Sequence, residues 1–417
     1  MKNKLRYLFI FLFLFSFSNS INAQMFYMPD LLLRQKLTTL GFGSCIMGDS
    51  INGSCSLVAN ATSLDVSSYN ISDLTGIEAF SSLNKLNCGE NNVTSFTINN
   101  LPQSLDTLIA YNPTYAHVHI SSLPANLKYL NIFRGQLSSL PPLPNSLVYL
   151  NCSSNNLPPF TFLPDSLREF YCDACRMGTL PSLPPNLEIL SCRQNSLHVL
   201  PSLPFSLKRL ECDANPLSVL PALPANLLLL SCGNDSLTFL PTLPSSLFYL
   251  ECNGNNIISL PSLPASLLDL YCRYNYINSL PTLPSSLRSL DCNNNAIQTL
   301  PSSLPSSLYN LYCDSNQLTV LPSLSSTLRV LRCSYNHLIS LPFLPSLLYD
   351  LNCSSNQITS LPALPLSLVF FSCDNNQLIS LPTLPSSLIE LNCSNNLLTS
   401  LPDLPDIIRK LILGNNP

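Results

Sequence analysis

Residues Leu207 to Pro224 read LKRLECDANPLSVLPALP, and the unit that begins at Leu227 reads LLLLSCGNDSLTFLPTLP. The shared pattern is L-x-x-L-x-C-x-x-N-x-L-x-x-L-P-x-L-P-x-S. Its Cys recurs from Cys152 to Cys393 at steps of 20 residues, with one step of 21 where an extra Ser is inserted. A period this regular over most of 417 residues predicts a repeat array, in which stacked units share one continuous core.

Each part of the unit has a physical role. In the L-x-C segment, alternation places Leu and Cys on one face of a short strand and their neighbours on the other. The Asn after the strand forms a column whose amides can satisfy backbone groups in the turn. The L-P-x-L-P segment cannot be helical, because Pro lacks an N–H group and restricts the residue before it. We therefore expect a parallel sheet on one side and an extended, polyproline-like return on the other.

The L-P-x-L-P-x-x-L-x-x-L-x-(apolar)-x-x-N-x-L unit, over residues 120–417, resembles the short bacterial type of leucine-rich repeat. That type occurs in secreted effectors, some of which carry a ubiquitin-ligase domain. The upstream slots Val66, Cys88, Ala110 and Ile132 lie 22 residues apart. The stretch from Ser63 to Cys88 resembles the internalin-style first repeats of secreted Bacteroidota-type leucine-rich proteins. With Leu413 after Cys393, the slots count eighteen turns. The resemblance implies a mostly β member of the α/β repeat class, a leucine-rich-repeat solenoid with a concave parallel sheet, an extended convex side and a short helical cap.

The chain divides into four predicted segments. Residues 1–23 carry basic residues, a ten-residue apolar run and Ala23 at a plausible cleavage site, which predicts a cleaved signal peptide. Residues 24–61 form the cap, where Asp30 begins a helix over LLLRQKLTTL that Gly41 ends, with Leu33, Leu37 and Leu40 covering the first coil. Residues 62–140 hold the 22-residue repeats. Residues 141–417 hold the regular ones, without a recognisable C-terminal cap.

Seventeen Cys in an exported chain first suggest disulfides. Fourteen of them, however, occupy one inward slot on parallel strands about 4.8 Å apart, a spacing that does not suit disulfide geometry. We expect these Cys to be buried free thiols, with a few strained pairs as the alternative. Cys175, three residues after Cys172, stands in the Asn slot. Cys45 and Cys55 lie outside the column and form the candidate disulfide.

Outward positions beside each Cys, at −3, −1, +1 and +2, are predicted to line the concave face. Over the regular units they hold eleven acidic residues, four Arg and seven Tyr. Tyr is common at binding hot spots, so a protein ligand of basic or mixed charge is favoured over simple solvation of exposed strands. The candidate protein-binding residues are Tyr171, Asp173, Arg209, Glu211, Asp213, Tyr249, Glu251, Asp269, Tyr271, Arg273, Tyr274, Asp291, Tyr312, Asp314, Arg332 and Tyr335.

Other function classes find little support. Removal of residues 1–23 leaves 16 basic against 23 acidic residues, a net charge of −7 that disfavours nucleic acid. No apolar run approaches the roughly 20 residues of a membrane span. The four His are scattered, and no nucleophile, phosphate or metalloprotease motif occurs. We expect no enzyme activity, catalytic residue, cofactor or metal.

The sequence thus predicts a secreted or surface-associated protein that binds another protein through its concave face. Two alternatives stay open. One is a virulence-type effector whose catalytic, ubiquitin-ligase-like domain lies outside this chain. The other is a structural repeat protein without a defined ligand.

Overall fold

A computed structural model describes residues 24–91, 95–98, 100–112 and 117–417. The predicted signal peptide lies outside these residues. Within them, no helix combines the length and apolar character needed to cross a membrane.

The N-terminal cap is a small antiparallel sheet with short helices beside it. Its elements are β1 (Met25–Tyr27), α1 (Leu31–Leu37), a π-helical turn (Thr38–Phe42), a 3-10 turn (Gly43–Cys45), β2 (Ile46–Met47), β3 (Ser50–Asn52) and α2 (Ser56–Ala59). The strand order is β1-β3-β2. A disulfide joins Cys45 to Cys55, the pair singled out from the sequence, and closes the β2–β3 hairpin. The sequence did not reveal this sheet.

Asp30 begins α1 as predicted, because its Oδ1 accepts a hydrogen bond of 2.9 Å from the Leu33 N–H. Its Oδ2 accepts one of 2.7 Å from the Ser72 N–H, which ties the cap to the first repeats. Leu33 and Leu37 are buried, but the prediction for Leu40 was wrong, since that side chain is exposed. The helix kinks at Gly41, where φ is 96°, and Leu40 is the residue immediately before this kink.

The array consists of short strands that succeed one another along the chain. They are β4 (Ser63–Asp65), β5 (Lys85–Asn87), β6 (Ser95–Ile98), β7 (Thr107–Ile109), β8 (His117–Ile120), β9 (Tyr129–Asn131), β10 (Tyr149–Asn151), β11 (Glu169–Tyr171), β12 (Ile189–Ser191), β13 (Arg209–Glu211), β14 (Leu229–Ser231), β15 (Tyr249–Glu251), β16 (Asp269–Tyr271), β17 (Ser289–Asp291), β18 (Asn310–Tyr312), β19 (Val330–Arg332), β20 (Asp350–Asn352), β21 (Phe370–Ser372), β22 (Glu390–Asn392) and β23 (Lys410–Ile412). A further 3-10 turn spans Ile77–Ala79.

All of these strands except β6 and β8 form one parallel sheet, which confirms the predicted fold class. In the described part of the chain this sheet has eighteen strands, each paired in register with the next, from β4–β5 to β22–β23. β6 and β8 pair with each other in a separate parallel sheet. The L-P return segments contain no helix, as Pro requires.

The core is a stack of identical layers. In one regular turn, Leu207, Leu210, Cys212 and Leu217 are fully buried, and the same slots are buried in the neighbouring turns. Each buried leucine contributes about 2 kcal/mol relative to an exposed one. Since one strand buries little by itself, the sheet is stable only because its units stack.

The predicted Asn column is present, and its side-chain amides form hydrogen bonds through both their nitrogen and their oxygen atoms. Asn275 is representative: its Nδ2 donates to the carbonyls of Cys252 at 2.9 Å and Cys272 at 3.1 Å, and its Oδ1 accepts the Ile257 N–H at 3.1 Å. Each Asn therefore joins two turns. Cys175 replaces one Asn and donates through Sγ to the Cys152 carbonyl at 3.1 Å, so this substitution keeps part of the pattern.

A second column, formed by serine side chains, runs along the side of the array that holds the L-P return segments. It was not recognised from the sequence. Ser266 Oγ donates to the carbonyls of Ser245 at 2.8 Å and Leu247 at 2.6 Å. Most regular units repeat this arrangement, and Thr327 plays the same part in its own turn. The signal was the conserved spacing of the last Ser in the repeat pattern, six residues before each Cys.

Candidate concave binding face

The candidate face consists of the −3 and −1 strand residues with the +1 and +2 residues that follow each Cys. Because the strands pair in register, residues 20 apart in sequence become neighbours in one column. The face is therefore a set of parallel columns, in which each side chain lies about 4.8 Å from its equivalents in adjacent turns.

In the first half of the face, two arginines pair with Glu211 and Asp213, whereas Glu169 and Asp173 are in no ion pair of the described residues. Arg193 forms ion pairs with Glu211 at 3.0 Å and with Asp213 at 2.9 Å, and Arg209 also contacts Glu211. The Glu211 residue is only 3% exposed. Glu211, one of the candidate binding residues, thus lies beneath the two arginines.

Several +1 carboxylates join successive turns. Asp173 Oδ1 accepts hydrogen bonds of 2.7 Å from Ser191 Oγ and from the Arg193 N–H. Asp213 makes the equivalent contacts one turn later, and Asp314 accepts from the Ser334 N–H at 2.6 Å. Burial raises the pKa of Asp173 in spite of these bonds. Part of the predicted binding set thus has an internal role that unit-by-unit inspection of the sequence could not show.

Tyrosines cluster at two places along the columns. Tyr129 and Tyr149 stack with ring centroids 4.0 Å apart, and Tyr149 lies 5.5 Å from Tyr171. Tyr249 and Tyr271 form a second, tilted pair at 5.5 Å. Tyr129 occupies the same −3 column as Tyr149. It was missed because the candidate residues were taken from the regular units, whereas Tyr129 precedes Ile132 in the 22-residue region. Burial raises the pKa of Tyr171 to about 12, so its hydroxyl remains a neutral hydrogen-bonding group.

The second half of the face, β15 to β19, holds the same balance of four acidic residues and two arginines. Arg273 lies 4.0 Å from Asp291, and Arg332 pairs with Asp350 at 2.8 Å. Asp269 and Asp314 are in no ion pair with a described basic side chain. Burial raises the pKa of Asp269, Asp291 and Asp314, although Asp291 pairs with Arg273 and Asp314 accepts hydrogen bonds from Ser334.

At the rim of this half, Tyr274 and Tyr335 are 59% and 65% exposed. Both occupy +2 positions with left-handed backbone, at φ 55° and 52°. The Arg273 guanidinium lies 6.0 Å from the Tyr274 ring centroid. The remaining predicted residues of this half, Tyr249, Glu251, Tyr271 and Tyr312, are half-buried between neighbouring columns.

The cysteine column offers no reactive group. The fifteen cysteines outside the disulfide are free and buried. Burial raises the pKa of Cys252 to about 12 and shifts Cys212 and Cys272 in the same direction, which keeps them as thiols. Among the residues that the structure describes, no group of three or more His, Cys, Asp or Glu is arranged to hold a metal ion.

Comparison with known proteins agrees with this geometry. No protein-family model matches the chain, and no curated protein matches its sequence. Among solved structures, the chain is similar to YopM from Yersinia enterocolitica WA-314, with 33% identity and a TM-score of 0.73 over 92% of this chain and 95% of that one. The chain belongs to the bacterial leucine-rich-repeat proteins.

Two further bacterial structures resemble this leucine-rich-repeat protein. YopM from Yersinia pestis, a leucine-rich effector protein, is 32% identical with a TM-score of 0.66, over 78% of this chain and 88% of that one. The functional domain of InlJ from Listeria monocytogenes, which includes a cysteine ladder, is 21% identical with a TM-score of 0.61, over 86% and 77% of the two chains. The InlJ likeness is one of fold.

Proposed function

We propose that this leucine-rich-repeat protein is exported through its N-terminal signal segment and binds a protein partner, at the bacterial surface or in the medium, through the concave face of β15–β19. The observation that carries the proposal is the combination of desolvated, incompletely paired carboxylates with half-buried and exposed tyrosines on those turns. Desolvated charge without a partner costs free energy, and a basic group of a ligand would offset that cost.

The partner that fits best is a protein segment of basic or mixed charge. Tyr271, Tyr274 and Tyr312 supply contact area with little loss of side-chain entropy on binding, and the carboxylates beside them supply orientation. We expect no enzymatic step, cofactor or nucleic acid in this interaction.

Exchange of Tyr271, Tyr274 and Tyr312 for Ser tests the proposal. We expect this variant to lose at least about ten-fold in affinity for a partner captured by the intact chain, because such anchors typically contribute more than about 1 kcal/mol each. The control is Phe205, Phe239 and Phe343 to Ser, three exposed aromatics outside the sheet. Loss of capture in the control variant, with retention in the tyrosine variant, would exclude the concave face.

A second candidate is an effector role, favoured by the 32% identity with the effector YopM of Yersinia pestis. In that case a catalytic, ubiquitin-ligase-like segment would be encoded outside this chain. A third is a structural array that binds no ligand. N-terminal sequencing of the exported protein is informative here, because cleavage before Gln24 supports the surface or secreted role.

A further inference from the structure

Two turns of the array carry pairs of exposed aromatic rings on either side of the column Asn, at the +2 and +4 positions after Cys. Tyr274 and Tyr276 form the first pair, and Tyr335 and His337 form the second. The other regular units have no aromatic ring at either position. We call the surface formed by the +2 and +4 residues from the first pair to the second, over four successive turns, the turn edge.

These rings have no evident role within the array. The three tyrosines are 59%, 63% and 65% exposed, and His337 is exposed as well. None of the four side chains forms a hydrogen bond with a described residue. Tyr274 and Tyr335 also have left-handed backbone, which bulky residues rarely adopt, and the other regular units place Ser, Ala, Gln, Asn or Gly there. Exposed rings on strained backbone, repeated in two turns, indicate a contact outside the array.

Between the two pairs, the turn edge is uncharged and can form hydrogen bonds. It holds Asn294, Ala296, Ser315 and Gln317, all of which are at least partly exposed. Their amide and hydroxyl groups both donate and accept. No Asp, Glu, Lys or Arg occupies a +2 or +4 position here, so the basic side chains that nucleic acid requires are missing. The turn edge therefore suits a neutral ligand with apolar faces and hydroxyl groups.

The adjoining +1 column adds one charge of each sign, and both are engaged within the array. Arg273 lies 6.0 Å from the Tyr274 ring centroid and 4.0 Å from Asp291. Asp314 accepts hydrogen bonds from the backbone and the hydroxyl of Ser334. These two charges balance, so the surroundings of the turn edge do not favour a ligand of either sign.

The separation of the two aromatic pairs sets the length of the ligand. Backbone hydrogen bonds join each +2 residue to the next turn, and the Tyr274 N–H, for example, donates to the Asn293 carbonyl at 3.0 Å. Three strand spacings therefore separate Tyr274 from Tyr335, or about 14 Å. A polyproline helix repeats its face about every 9 Å and does not match this separation. In an extended β-1,4-linked glycan, each pyranose advances by nearly one strand spacing, so the first and fourth rings meet the two pairs.

We propose that the turn edge binds an uncharged, β-1,4-linked glycan of at least four glucose-type pyranose units. Such units have equatorial hydroxyl groups and apolar ring faces. The faces stack on Tyr276 and Tyr335, while the hydroxyl groups bond to Asn294, Ser315 and Gln317. This inference goes beyond the proposed function, because it requires no protein partner.

Calorimetric titration with dimers and tetramers of β-1,4-linked glucose and of β-1,4-linked N-acetylglucosamine tests the proposal. Of these probes only a tetramer reaches both pairs, so we expect one of the two tetramers to bind at least about ten-fold more tightly than its dimer. Because no ion pair forms, this affinity should change by less than about two-fold between about 0.05 M and about 0.5 M salt.

The Tyr276→Ser, Tyr335→Ser variant should lose the preference for the tetramer. Ser stands at both positions in other regular units, so the variant keeps the fold. The matched control is Tyr309→Ser, Tyr349→Ser, which replaces two tyrosines that are each 42% exposed and precede β18 and β20, at the opposite end of the strands. The control should bind the tetramer as the wild-type chain does.

Binding of neither tetramer, equal affinity for tetramer and dimer, or full binding by the Tyr276 and Tyr335 variant would overturn the inference. Decaproline is the probe for a polyproline peptide, the other ligand that stacks on exposed aromatic rings. Binding of decaproline without either tetramer would likewise overturn the inference and assign the turn edge to a peptide.

Discussion

The carboxyl group of Asp235 accepts a hydrogen bond of 2.7 Å from the backbone N–H of Asn215, in the slot that asparagine fills in the turns on either side. Its Oδ2 is buried and has no hydrogen-bond partner. In the next turn, the equivalent atom of Asn255 is Nδ2, which donates to the carbonyls of Cys232 and Cys252 at 2.8 and 3.1 Å. An ionised Asp235 would instead direct an oxygen at carbonyl oxygens.

Asp235→Asn should therefore stabilise the array, and more so at high pH. Burial, with the nearby Asp213 carboxylate adding to it, raises the pKa of Asp235 from 3.8 to about 8. The folded state holds this proton more tightly than the unfolded chain, so wild-type stability falls as pH rises from about 4 to about 8. Solvent reaches part of the group, so we expect a gain of about 2 kcal/mol at pH 9 and under about 1 kcal/mol at pH 4.

Urea unfolding of both proteins between pH 4 and pH 9 measures this difference. Asp403→Asn, an exposed change of the same charge, serves as the control and should leave the urea midpoint almost unchanged. A stability gain from Asp235→Asn that does not vary with pH would show that the wild-type carboxyl group is already ionised in the folded state.

The sequence predicted the features that every unit repeats. The inward Cys column, the bonding of Asn275 and the helix cap at Asp30 each depend on one local slot or residue, and all three are present. Leu40 was placed wrongly because it stands beside the kink at Gly41, and apolar spacing alone does not show which face that last residue presents.

The candidate site was predictable only in part, because its charges are decided between units. Arg193 and Asp213 are 20 residues apart, so aligning the units in register would have placed them in one column and shown their pairing. The burial of Glu211 could not be predicted in this way, because it depends on how two arginine side chains fold over it. Which carboxylates remain uncompensated follows from side-chain conformations and not from the repeat pattern.

Leu347→Ser should add a missing member to the serine column. Leu347 stands where neighbouring turns place Ser367 and Thr327, and it is 49% exposed. A Ser there can donate to the carbonyls of the preceding turn, as Ser367 does to Ser346 and Leu348 at 2.8 and 2.6 Å. Because Leu347 is already half exposed, the apolar burial that is lost offsets only part of the gain, and we expect a net stabilisation of under about 1 kcal/mol by urea unfolding.

Ser266→Ala and Ser266→Thr provide the comparison for that result. The Ala change leaves two carbonyls without their donor and should cost about 1 kcal/mol, whereas Thr keeps the hydroxyl and should cost less. If Leu347→Ser lowers stability while Ser266→Ala is neutral, the serine column contributes nothing measurable and the hydroxyls serve only as polar surface.

Thiol titration examines the cysteine column directly. Denatured, unreduced protein should show fifteen free thiols, and two more after reduction. In the folded protein almost none should react with an alkylating reagent even at pH 9, because all fifteen are buried and burial raises the pKa of column thiols such as Cys252 and Cys212. A count of fewer than about four free thiols after denaturation would show that the column consists of disulfide pairs and not of packed free thiols.

Replacement of Cys45 and Cys55 by Ser should loosen the cap while leaving the repeats intact. The disulfide encloses β2 and β3, and loss of such a link costs about 2–3 kcal/mol of local stability. Each repeat contacts only its neighbours, so the effect should fade within a few turns. Hydrogen exchange should therefore quicken over residues 46–54 and remain unchanged beyond β9. Reduced wild-type protein is the matched control and should behave like the variant. Faster exchange throughout the array would mean that the cap and the repeats unfold as one unit.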